Sequence, residues 1–302
     1  MFVLFLAARP KFLTATAAPV LVGSGLGYAV TGTFEPLLFI LALLAIMAMN
    51  LGVNLANDYF DHTSRNDWLN TNPTPFSGGS RFIQNGTVSP KSVLLAAFAA
   101  LAIASSIGIV IVVLTKSGFI LVLGIVGLLG GFFYTASPIR LGYRGIGEFV
   151  IAFLCGLLPV YGSYYLQTQV VDTVVLLPAV IVSLLVFEII LINEFPDAAA
   201  DAAVGKKTLV VLLGIPGAVW IYRIALIVTY LLAVLAMVLY PSLFVAGLLY
   251  LFTSPLAVAA LKFANKKDLT TPGQFRANKN TILLHILGSL ALTTGFIITA
   301  IL

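Results

Sequence analysis

Residues 36–61 read PLLFILALLAIMAMNLGVNLANDYFD. Positions 36–56 carry no charge, and the run then ends in two aspartates, Asp58 and Asp61. A helix rises about 1.5 Å per residue, so about 20 apolar residues cross a hydrocarbon layer. The stretch therefore reads as a spanning helix that delivers carboxylates to its own end. The rest of the chain has the same character. Of 302 residues, 60% are hydrophobic and 9% charged, and the mean hydropathy is +1.09. A soluble domain carries about 25% charged residues. This composition leaves too little polar surface for a water-soluble globule and predicts an all-α polytopic transmembrane bundle.

Counting apolar runs predicts spans near 12–31, 36–56, 92–115, 117–136, 146–167, 173–193, 217–239, 242–264 and 281–301, nine in all. The first follows Arg9 and Lys11 but has the length of a full span and no small-residue cleavage site, so it reads as a helix and not as a signal peptide. With the N-terminus cytoplasmic and the C-terminus outside, Arg9, Lys11, Arg65, Arg81, Lys91, Arg140, Arg144, Lys206, Lys207, Lys262, Lys266, Lys267, Arg276 and Lys279 all face the cytoplasm. That is 14 of the 16 basic residues, leaving Lys116 and Arg223. The bias follows the positive-inside rule. The net charge of +5 thus reports topology in a cell membrane, and no basic stripe with interleaved aromatics suggests nucleic acid. Cys155, the single cysteine, lies mid-span and reads as a small packing residue.

The whole chain, 1–302, reads as a single domain whose polar segments gather on one face: 57–91, 137–145, 194–216 and 262–280. Two of them carry a related pattern. Asn54, Asp58 and Asp61 close the second span as N-x3-D-x2-D; Asn193, Asp197 and Asp201 close the sixth as N-x3-D-x3-D. Four spans separate the copies, which suggests duplicated halves with a site between them. If each helix continues past the membrane boundary, each triplet lines one helical face.

Paired carboxylates at a helix end repel in a low dielectric, and a divalent cation removes that cost. The oxygen-only donor set, without His or Cys at useful spacing, disfavours zinc and favours Mg²⁺, which binds through one or two carboxylates plus substrate phosphates. The metal-ligating and catalytic candidates are therefore Asp58, Asp61, Asp197 and Asp201. An EF-hand over Asp58–Asp67 is excluded, because the required Gly and Glu are absent. Arg81, behind Gly78-Gly79, and Lys206-Lys207 could supply counter-charge to an anion, although the lysines equally suit the positive-inside rule. Tyr134, followed by Ser137, Arg140, Tyr143 and Arg144, could offer a π-face to a cation or anchor the interface. His285 is mid-span and reads as packing; His62 adjoins the acidic loop; Glu188 lies inside the sixth span. No His or Glu stands at an evident base position.

These residues resemble the UbiA superfamily of intramembrane prenyltransferases over nearly the whole chain. Asn54-Leu-Ala-Asn57-Asp58-Tyr-Phe-Asp61 is similar to the first aspartate-rich motif of that family. Asn193-Glu-Phe-Pro-Asp197-Ala-Ala-Ala-Asp201, running into Gly205-Lys206-Lys207-Thr208-Leu209, is similar to the second. Tyr134-Thr135 through Gly145-Ile-Gly-Glu148 resembles the YT…G-x-G-E/D stretch, and Arg9-Pro10-Lys11 the N-terminal Arg-Pro. Pro75-Phe-Ser-Gly-Gly-Ser-Arg81 and Gly-Lys-Lys-Thr-Leu point to the menaquinone branch. The D-x2-D spacing and Glu194-Phe195-Pro196 depart from it. The resemblance implies Mg²⁺-dependent transfer of a polyprenyl group from an allylic diphosphate to an aromatic acceptor, 1,4-dihydroxy-2-naphthoate on that branch. It makes Arg9, Lys11, Asn54, Asn57, Arg81, Ser137, Arg140, Arg144, Asn193, Lys206 and Lys207 substrate-binding candidates. The partners implied are the two substrates and the bilayer, with no obligatory protein partner evident. Two rivals stand beside this reading. A glyceryl phosphate acceptor would keep the superfamily and change the product. A secondary transporter would suit repeated halves, yet transport sites usually lie near the midplane, whereas these carboxylates sit at helix ends.

Overall fold

The computed structural model describes residues 2–271 and 273–302, and every named element among them is helical. In order these are α1 (Phe2–Ala7), α2 (Thr14–Thr31), α3 (Pro36–Thr63), α4 (Asn66–Leu69), α5 (Pro90–Thr115), α6 (Gly118–Phe132), α7 (Gly147–Ala152), α8 (Leu158–Thr168), α9 (Leu176–Glu194), α10 (Ala198–Ala203), α11 (Leu209–Leu239), α12 (Phe244–Leu251), α13 (Ser254–Phe263), α14 (Lys266–Thr270) and α15 (Arg276–Ile301). Each of the nine expected stretches falls on helix. Among the described residues, seven helical segments are long and apolar enough to cross a membrane, and α12 with α13, bent by 50°, makes an eighth. The remaining expected stretch, 117–136, holds α6, which has 15 residues and a length of about 22 Å, short of a full hydrocarbon layer.

The chain marks its helix starts with side-chain caps. Ser89 accepts from the Ser92 N–H at the start of α5, Ser117 from Ile120 at α6, and Thr208 from Val211 at α11. Two boundaries differ from expectation. Helix α3 runs on to Thr63, past the expected end at 56, because nothing from Asn57 to Thr63 breaks a helix. Helix α11 starts at Leu209 and not at 217. The chain is kinked at Gly214 (φ 65°), next to Pro216, and is helical on both sides of that kink. Helices α7 and α8 join through a π-turn, Phe153–Leu157, which carries Cys155. There Gly156 lies so close to α9 that a Cβ would sit 2.4 Å from Ser183 Cα.

The main core joins α2, α8, α9, α11, α12 and α15 through residues such as Leu26, Tyr164, Leu185, Leu226, Tyr250 and Leu284. A smaller cluster, Ala7, Leu55, Ala56, Val93 and Ala97, joins α3 to α5 and the N-terminal segment. Connections that follow α3, α6, α9 and α13 meet on one end: Tyr143 reaches Asp61, and Phe76 stacks edge-on against Phe275. The opposite end is tied by Gln167, whose side chain accepts from the Glu35 N–H (2.7 Å). The acidic motifs lie at the first of these ends.

Candidate active site

Asp58 sits on the last turns of α3, almost fully buried. Its two oxygens accept the Ser80 N–H at 3.3 and 3.2 Å, and the Arg9 guanidinium lies 3.2 Å away. Arg9 also donates to the side chain of Asn57 (2.8 Å) and to the carbonyl of Asn54 (3.1 Å). Asn54 returns a bond to the Ala8 carbonyl (3.1 Å). One turn on, Asp61 accepts from Asn57 (2.9 Å) and from the Tyr143 hydroxyl (3.2 Å). The expected single face of α3 therefore exists, and the N-terminal Arg-Pro segment is folded against it.

The second motif does not form the expected face. Helix α9 stops at Glu194, and Asp197 and Asp201 belong to the turn and to α10. The cause is Pro196, which has no N–H to donate to the Ile192 carbonyl four residues back. That freed carbonyl instead accepts from Asn278 of α15 (3.2 Å), and Asn278 also donates to Asn193 (2.8 Å). Asn193 thus faces α15 and not the two aspartates. The break turns Asp197 and Asp201 toward the first motif.

The two motifs meet across the segment 66–80, of which the sequence reading singled out Asp67 and the stretch from Pro75 to Arg81 but not Asn66 or Asn70. Asn66 donates to Asp201 (2.8 Å), Asn70 to Asp197 (2.7 Å), and the Gly78 N–H to Asp197 (3.0 Å). Lys206 lies 3.3 Å from Asp201. A fifth carboxylate, Asp67, is buried between Gln84 (3.1 Å) and Gly79. A Cβ at Gly79 would stand 2.6 Å from Asp67 Oδ2, and the residue has φ 70°, so only glycine fits. Arg81 donates to the Asp67 backbone carbonyl, and Lys11 to that of Pro75. The Asn-x3-Asn spacing at 66 and 70, one helical turn apart, was the signal for this strap.

Burial and mutual repulsion dominate the electrostatics. Burial first, then the charges of Asp61 and Asp58, push Asp67 up to about 8. Burial, then Asp201, pushes Asp197 up to about 6. Asp201 is also raised, by burial. The Tyr143 hydroxyl is pushed up to about 12 by burial and by Asp61. These are the conditions under which a bound cation is favoured. As they stand, no three His, Cys, Asp or Glu side chains among the described residues converge to hold one ion; amides and backbone N–H groups occupy the carboxylates. Even so, Asp201 Oδ2 is buried without any partner, and the donors are all oxygen. That set fits a hard divalent cation such as Mg²⁺.

The remaining candidates divide. Tyr134 is buried with its ring against Gly142. Burial raises its hydroxyl, which lies among Glu194, Lys206, Glu148 and Asp201. Glu148 and Glu194 are both buried close to one another, and Glu148 accepts from the Leu209 N–H (2.5 Å). Buried carboxyls thus stand beside the site at positions the sequence does not mark as bases. Lys206 points inward to Asp201 while Lys207 is exposed. Lys207 lines an open cavity of about 510 Å³ with Arg140, Tyr143 and Arg144. Arg140 stacks on Tyr143 at 5.4 Å, and Arg144 donates to the Ile139 carbonyl (2.5 Å). Ser137 is exposed beside this cavity, and neither it nor the three cations bonds an aspartate. His62 accepts from Trp68 (3.0 Å).

Three comparisons bear on this arrangement. The UbiA prenyltransferase family model matches residues 16–295. A 1,4-dihydroxy-2-naphthoate octaprenyltransferase from Haemophilus influenzae is 35% identical, over 68% of each chain. One of the same description from Mycobacterium leprae is 32% identical over 84% of this chain and 83% of its own. Among solved structures, a UbiA homolog from Archaeoglobus fulgidus bound to DMAPP and Mg²⁺ superposes with a TM-score of 0.69, covering 99% of both chains at 16% identity. The apo structure of a UbiA homolog from Aeropyrum pernix K1 gives 0.68 at 18% identity, covering 95% of this chain and 98% of the other.

Proposed function

The chain belongs to the UbiA prenyltransferase family, and on that premise we propose that it prenylates 1,4-dihydroxy-2-naphthoate from a polyprenyl diphosphate at the paired aspartate motifs. The observation that carries the site assignment is the junction of the motifs: Asn66 and Asn70, from the first half, hold Asp201 and Asp197 of the second. Arg9, Lys206 and the Gly78 and Ser80 amides surround those carboxylates with the donors an anionic diphosphate needs. Asp58, Asp61, Asp67, Asp197 and Asp201 would hold Mg²⁺, which when bound supplies charge neutralisation for a departing diphosphate.

The residues divide the chemistry between them. In the transfer, the allylic C–O bond breaks, diphosphate leaves with the electron pair, a ring carbon of the acceptor bonds the prenyl carbon, and the displaced ring substituent is lost. Fixed donors help most where charge develops, at the leaving oxygens. The strap over residues 66–80 excludes water, which would otherwise trap the carbocation. Arg140, Arg144 and Lys207 give the adjoining cavity a positive lining suited to an acceptor carboxylate. The apolar tail lies along the bundle. The charge bias supports a cytoplasmic position for this face.

The test is an acceptor panel with purified protein, Mg²⁺ and a labelled prenyl diphosphate. Prenylated naphthoate is the expected product. Efficient prenylation of a glyceryl phosphate, with no product from naphthoate or benzoate, would overturn the acceptor and keep the family. Uptake of a solute into vesicles without diphosphate release would overturn the enzymatic reading of the site.

A further inference from the structure

Away from the acidic end, the middle of the bundle holds polar atoms that bond nothing. Both carboxyl oxygens of Glu188, both ring nitrogens of His285 and the hydroxyl of Ser289 are buried without a partner, and all three residues are fully inaccessible. Glu188 is on α9; His285 and Ser289 are on α15, which packs against it.

Two contacts fix their relative depth. Toward the acidic end, Asn193 and Asn278 are hydrogen bonded. Farther from it, a Cβ at Gly288 would lie 3.5 Å from Leu185. Glu188 is three residues from Leu185 and His285 three from Gly288, each about 4.5 Å along its helix toward the acidic end. They lie at the same depth to within about 3 Å on packed helices, yet no hydrogen bond joins them. Tyr222, Tyr230 and Tyr250 lie near Glu188, but each gives its hydroxyl to a threonine: Thr281, Thr253 and Thr229 respectively.

These groups form one end of a polar stripe. On α15 the buried positions Asn278, Thr281, His285 and Ser289 follow each other at helical spacing on one face. The stripe starts at the Pro196 break, beside the aspartates, and runs into the middle of an otherwise apolar core. Leucine at Glu188 or His285 would pack there at no desolvation cost, whereas an unbonded carboxyl or imidazole in hydrocarbon costs several kcal/mol. Buried polar atoms are almost always satisfied, by protein or by ordered water, and a polar gap with several donors and acceptors is where water is held.

We propose that Glu188, His285 and Ser289 form an internal water-binding site, joined to the acidic end along the Asn278–Thr281 stripe and able to exchange protons with it. Water bridges the carboxyl of Glu188 to the imidazole of His285 and exchanges with water at the acidic end along the face that Asn278 and Thr281 mark. Its occupant is water whichever acceptor the enzyme uses, so the proposal stands independently of the acceptor assignment.

The test uses the full-length wild-type protein in lipid nanodiscs. Infrared spectra in H₂O should show a protonated carboxyl band that shifts promptly on transfer to D₂O, because water connects the group to solvent. Glu188→Gln assigns the band by removing it. If that variant does not insert, nitrogen-15 labelling of the histidines replaces it, since the protein has only two and His285 should show fast N–H exchange. Absence of the carboxyl band, or a band or imidazole N–H that stays unexchanged for hours, would overturn the proposal by showing a charged or a sealed, dry site. Both readouts are independent of turnover.

Discussion

Helices α3 and α9 lead into related acidic patterns and are about equally apolar, yet they occupy opposite environments. In α3, 6% of the most apolar window is buried within the protein; in α9 the figure is 72%. The motif on the peripheral helix stays on a continuous helix. The motif on the central helix is broken at Pro196 and continues in α10. The matched asparagines diverge likewise: Asn54 ties down the N-terminal segment at Ala8, and Asn193 ties down the last helix at Asn278. The duplicated pattern thus serves one site through two constructions, and each construction fastens one end of the chain to it.

The strongest test of equivalence is removal of one carboxylate from each half. Asp58→Ala and Asp197→Ala should each lower kcat by a factor of about 100 or more while the protein still inserts, because a metal-held contact made in the transition state is worth several kcal/mol. Turnover at saturating Mg²⁺ measures it, and near wild-type activity in either variant removes that half from the site. The strap comes next. Asn66→Ala and Asn70→Ala should weaken Mg²⁺ dependence by about 10- to 100-fold, as is usual for residues that orient ligands. An unchanged Mg²⁺ titration would make the strap merely structural.

Asp67 supplies a pH test that the second motif answers more weakly. Its carboxyl titrates near 3.8 when unfolded and about 8 when folded without metal. Its neutral form is the one the fold favours, so its stabilisation is complete below pH 3.8 and is lost as pH rises through about 8. Metal-free protein should therefore melt at progressively lower temperature between about pH 5 and 8.5, with Asp197, at about 6, adding in the same direction over a narrower range. Added Mg²⁺ should restore most at the alkaline end, and Asp67→Asn should flatten the profile. A melting temperature that rises with pH in the metal-free protein would contradict the assignment.

The smallest effect concerns the fasteners. Asn278→Leu leaves the Ile192 carbonyl without its donor and should cost about 1–3 kcal/mol. Asn54→Leu should cost less in stability, because the N-terminal segment it holds is partly open to solvent. Thermal melts of both variants, with kcat measured alongside, show whether the two halves are fastened equally.

The acid motifs, the spacing of Arg9 ahead of them and the run of apolar stretches were legible before any coordinates. Hydropathy reports transfer out of water, and charge cannot be left in lipid unless it has a purpose. The roles of Asp67, Asn66 and Asn70 were not legible: the Asn-x3-Asn spacing marks one helical turn, but polar residues in a long loop look alike until the chain returns over the site. The closeness of Glu148 and Glu194 was hidden for a related reason: their carboxyls lie 46 residues apart in sequence (148 and 194).

The sequence by itself determined that this is a membrane helix bundle with its chemistry at one end. Only the tertiary structure decided which helices are central, since lipid and protein interior are equally apolar and the pattern of a lipid-facing helix matches that of a buried one. It also decided that Pro196 turns the second motif toward the first. A proline announces a missing hydrogen bond, but the partner that takes the freed carbonyl, Asn278, is supplied by a helix 82 positions further on (196 to 278).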